Sequence, residues 1–118
     1  MKSLRHNYPM SNVNELNNLN RLVGEIKILM GSISILDKSV ALKDEISIAT
    51  ALDAINFRLT EIAKLSSQIN NFTFSIDSAL AELSSSTPNL KTLHELLDGP
   101  VEALRKRALS EILTLSIQ

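Results

Sequence analysis

Residues 48–83 read IATALDAINFRLTEIAKLSSQINNFTFSIDSALAEL. Within them Ile48, Leu52, Ile55, Leu59, Ile62, Ser66, Ile69, Thr73, Ile76, Leu80 and Leu83 recur at alternating intervals of four and three. That is the 3.5-residue period of a helix seam built to meet other helices, coiled-coil-like in its register. One continuous helix over the span is about 55 Å long at 1.5 Å per residue. With Leu52, Leu59, Ser66, Thr73 and Leu80 at a and the remaining seam residues at d, the g positions are Ala51, Arg58, Leu65, Phe72 and Ala79. Most of these are apolar. A two-stranded coil keeps charge at g, whereas a stripe of three apolar positions per heptad suits a helix with two neighbours. A bundle is therefore expected over a two-stranded zipper.

Working outward, Leu16, Leu19, Val23, Ile26, Met30 and Ile33 repeat the pattern upstream, with Leu22, Leu29 and Leu36 at g. Asn12 and Glu15 have capping-box spacing, and a first helix is predicted over about 13–36. Asp37, Lys38 and Ser39 stand where the register demands an apolar residue, which places the turn there. Asp44 and Glu45 suit the first turn of a second helix, running to Leu83. Thr87 and Pro88 then read as cap and first residue of a short third helix with Leu90, Leu93, Leu96 and Leu97. Gly99-Pro100 ends it, and a fourth helix carries Val101, Leu104, Ala108, Ile112 and Leu115. No segment alternates as a strand does. Residues 1–10 lack periodicity and read as a flexible N-terminal arm, leaving 11–118 as a single helical-bundle domain.

The composition narrows function mainly by exclusion. The 118 residues are 44% apolar, almost all aliphatic, with three Phe, one Tyr and no Trp, which leaves few stacking platforms for single-stranded nucleic acid. A formal charge of −1 gives no field for a polyanion, so nucleic acid is not an expected partner. The short basic run Arg105-Lys106-Arg107 reads as solvation of the last helix. No cysteine is present, so disulfides and thiolate sites are ruled out. No apolar run reaches the roughly 18 residues of a membrane span, and a cytoplasmic protein is expected.

Reactive constellations are missing. His94 and Glu95 are neighbours on a helix and point apart, so His94 reads as a surface residue. Neither Asp53 with Glu61 nor Asp77 with Glu82 is spaced as a tight carboxylate pair. Gly24, Gly31 and Gly99 belong to no phosphate loop, though Gly24 and Gly31, one heptad apart, suit close helix approach. Neither enzymatic activity, a cofactor, a metal nor a small-molecule substrate is expected. The hydroxyls of Ser66 and Thr73, set in the greasy seam, are expected to bond carbonyls one turn back.

Taken together these features predict an all-α protein: a long antiparallel helical hairpin plus two short C-terminal helices in a helical bundle. Its expected role is that of a non-enzymatic assembly or adaptor protein that associates with itself or with another helical protein. The seam Ile48, Leu52, Ile55, Leu59, Ile62, Ile69, Ile76, Leu80 and Leu83 is the expected interface. Phe57 and Phe74 lie off the seam, as do Ile28 and Ile35. The C-terminal helices are expected to cover them; left bare, Phe57 and Phe74 make a second patch. The alternative role is a small helical binder that sequesters one specific protein, as a secretion chaperone, inhibitor or immunity protein does.

Overall fold

A computed structural model describes residues 10–69 and 77–116 of the chain. Four helices account for nearly all of them: α1 (Met10–Leu42), α2 (Glu45–Ser67), α3 (Asp77–Leu83) and α4 (Leu90–Ser116). The fold is all-α. Helices α1 and α2 form the expected hairpin, and α4 packs along α1.

The hairpin turns six residues later than the sequence pattern implies. Asp37 does not break α1, because it faces α4, where His94 meets it. Ser39 is buried, but its hydroxyl donates to the Ile35 carbonyl at 2.8 Å, so it too is accommodated within the helix. The turn is a Schellman motif at the end of α1. Asp44 N–H reaches the Ser39 carbonyl and Lys43 N–H the Val40 carbonyl, with Lys43 left-handed at φ 56°. Asp44 then caps α2, its carboxylate accepting from the Ser47 N–H and hydroxyl. Those two bonds hold the Asp44 carboxyl below its ordinary pKa.

Helix α2 is shorter than its sequence period. It ends at Ser67, capped by Gln68, and helical structure resumes as α3. Thr73, Ile76, Phe72 and Phe74 lie outside the described residues, as does the arm at residues 1–9. Helix α4 begins beside the last third of α1, near the hairpin end. Asn89, not Thr87, caps α4: its side chain accepts from Thr92 N–H, while Glu82 of α3 accepts from Asn89 N–H at 2.7 Å. Gly99-Pro100 does not end a helix. The two C-terminal helices are α3 and α4, and Pro100 lies inside α4. A continuous apolar face of Leu93, Leu97, Val101, Leu104 and Ala108 holds α4 together across it. At the other end of the chain, α1 is helical from Met10, so Asn12 lies inside the helix and does not cap it.

The core gathers Leu19, Leu22, Ile26, Leu29 and Leu36 of α1, Ile55, Leu59 and Ile62 of α2, and the apolar face of α4. In α1 the buried stripe runs through the d and g positions, and Met30 at a is 45% exposed. The widened stripe does what its width implies, facing α2 and α4 at once. Ser66 departs from expectation: it is 2% exposed and its hydroxyl has no hydrogen-bond partner among the described residues.

Candidate interaction surface

The seam is largely consumed inside the chain. Ile55, Leu59, Ile62 and Ile69 are buried, while Ile48, Leu52, Leu80 and Leu83 pack half-buried against the same core. Fully buried side chains offer nothing to a second molecule unless the bundle opens. The accessible apolar surface lies elsewhere, on the side of the hairpin that faces away from the core.

There α1 presents Ile28, Ile35 and Leu42 at heptad spacing, and α2 presents Ile46 and Phe57. Their exposures run from 47% for Ile28 to 82% for Ile46. These five are half of the ten large apolar side chains exposed among the described residues. Helix α4 covers the opposite flank of α1, so Phe57, Ile28 and Ile35 are bare rather than covered as the sequence suggested. Phe57 has a charged neighbour. The Arg58 guanidinium lies 5.0 Å from the centre of its ring, and Arg58 Nη1 donates to Glu25 on α1 at 2.6 Å.

Between these two stripes runs a hollow of about 210 Å³, lined by Ser32, Ile35, Ser47, Thr50, Ala51 and Ala54. Its small residues leave the helix backbones thinly covered. Two of the hydroxyls are already spoken for: Thr50 donates to the Ile46 carbonyl and Ser47 to Asp44. What they show to a partner is mostly carbon. Gly24 and Gly31 lie exposed on the same outward face of α1, and a Cβ added at either meets nothing within 4 Å. They are not used for close approach between helices of this chain.

The polar features lie away from this face. His94 bridges Asp37 and Asp98, and both contacts raise its pKa, Asp37 the more. Asp98, one turn beyond His94 on the same helix, was detectable at i+4 spacing. Asp37 was not, because the sequence pattern placed a turn there. The adjoining cavity, lined by Ile33, Leu36, Ile55, Leu90, Leu93, Leu97 and by His94 and Asp98, holds only about 10 Å³, room for one water at most. Glu102 and Arg105 form a two-pronged ion pair that lowers the Glu102 pKa. Among the described residues no three His, Asp or Glu side chains cluster to hold a metal, and no helix is long and apolar enough to cross a membrane.

No protein-family model matches this chain, and no curated protein or solved structure shows significant similarity to it.

Proposed function

We propose that this chain is a non-enzymatic helical protein acting by protein–protein contact, as an assembly or adaptor unit, through the outward face of the α1–α2 hairpin. One observation carries the reading: half of the large apolar side chains exposed among the described residues fall on that single face. Scattered surface hydrophobes need no explanation, but a contiguous group of this kind in a water-exposed position marks an interaction site. A cytoplasmic setting goes with this reading, as a cysteine-free chain requires no oxidising compartment to fold.

The reading is tested by placing a photo-crosslinking amino acid at position 35, and separately at position 106 on exposed α4, in the cells that make the protein. Expected is a discrete protein adduct from position 35 and none from position 106. No adduct from position 35, or equal adducts from both, overturns the reading. An adduct to a different protein, with no doubled chain, points to the sequestering binder and away from self-assembly.

A further inference from the structure

We infer that the partner on this face is a second copy of the chain, related by a twofold axis parallel to the hairpin; this rests on the contact reading above. Two fixed points set the level of α1 against α2: the turn at Lys43 and Asp44, and the Arg58–Glu25 ion pair. Between them Gly31 stands level with Asp53, and Phe57 falls midway between the levels of Gly24 and Gly31. A twofold axis along the hairpin preserves these levels and lays α1 of one copy over α2 of the other. Phe57 then enters the gap between Gly24 and Gly31 of the second copy, where neither glycine has a side chain or a near neighbour. Ile46, by the same register, falls between Ile35 and Leu42 of the second copy.

The surface is self-complementary in shape and, at its middle, in charge; toward the open end of the hairpin the same register sets Lys64 near Arg21 of the second copy. Large residues on α2 meet vacant or apolar steps on α1, which is the condition for an interface in which one patch serves both subunits. Lys27 and Lys38 line the outer rim of α1, and Asp53 lies on the outer rim of α2. The axis places Asp53 beside Gly31 of the second copy, about one helical turn from its Lys27. The competing twofold, perpendicular to the helices, stacks α1 on α1 and sets the lysine rims against each other. The parallel axis also makes every neighbouring pair of helices antiparallel, as in an up-down bundle. The hollow beside Ser32 and Thr50 is closed by the same contact.

Light scattering after gel filtration of the full chain, over a hundredfold concentration range, is the test. Expected is a mass tending to twice 13.0 kDa. Phe57→Ala should weaken the dimer at least about thirtyfold. Gly31→Leu should abolish it while the chain stays as helical as before, because a Cβ at that position meets nothing within the isolated copy. Lys27→Glu should weaken association and Asp53→Lys added to it should restore part of the loss. A constant 13.0 kDa overturns the second copy as partner, and adducts from position 35 would then still uphold the contact face. A dimer that survives both Phe57→Ala and Gly31→Leu overturns this arrangement as well.

Discussion

His94 on α4 places its Nε2 2.7 Å from Asp37 Oδ1 on α1, while its Nδ1 lies 2.9 Å from Asp98 Oδ2. A ring with a carboxylate at each nitrogen is best served as an imidazolium donating twice. Its pKa accordingly rises on folding, chiefly through the hydrogen bond to Asp37 and next through that to Asp98. The sign follows: a raised pKa contributes stability that is complete below the unfolded value, near 6.5, and is lost as pH climbs through the folded value. Urea midpoints of the wild type and of His94→Gln should therefore differ most below about pH 6.5 and converge only as pH rises through the higher folded value. Parallel curves across that window would show that the clamp does not tie α4 to α1 through charge.

Lys43 pays a backbone cost that glycine would not. It holds φ at 56°, in the left-handed region, at the position after the α1 C-cap where glycine is usual. Its side chain makes no hydrogen bond that the turn requires, since both motif bonds come from backbone N–H groups. Lys43→Gly should stabilise the chain by about 0.5–1 kcal/mol, read as a higher urea midpoint at unchanged slope. A lower midpoint would mean that the added freedom of glycine in the unfolded chain outweighs the relieved strain.

Lys43 also shows why the turn was hard to read. The helical periods of Ile26, Leu29, Ile55, Leu59 and Ile62 were plain, because burial repeats along a helix and leaves a spacing behind. A turn made by one non-glycine residue in a left-handed conformation leaves none. Asp37 misled for a related reason: a charge opposed to the local pattern looks like a helix end until its partner, 57 residues away, is placed beside it. The seam was legible as a helix face, but not as belonging to one chain rather than two, since intramolecular and intermolecular bundles impose the same pattern. Phe57 was legible as an off-seam residue. Its exposure depended on which side of α1 the last helix takes, and no periodicity encodes that choice.

Ser66 carries a buried hydroxyl with no hydrogen-bond partner among the described residues. Removing an unsatisfied polar group costs no bond and recovers its desolvation penalty, while the cavity left by one oxygen is small. Ser66→Ala should raise stability by about 1 kcal/mol in chemical denaturation. A loss of similar size would mean that the hydroxyl makes a bond that alanine removes.

Pro100 sits eleven residues into α4, where its ring removes the N–H that would bond the Leu96 carbonyl and crowds the preceding turn. Such a proline costs roughly 3 kcal/mol in a helix interior, and α4 survives it through the burial of Leu97, Val101, Leu104 and Ala108 on both sides. Pro100 itself is exposed, so replacing it empties no part of the core. Alanine restores the bond but also returns conformational freedom to the unfolded chain, which subtracts up to about 1 kcal/mol. Pro100→Ala should therefore stabilise the protein by about 1–3 kcal/mol, with an unchanged denaturant slope. If the variant is instead less stable, the two halves of α4 reach α1 only because the proline lets the helix bend between Leu97 and Val101. The gain in one hydrogen bond would then be smaller than the packing lost along α1.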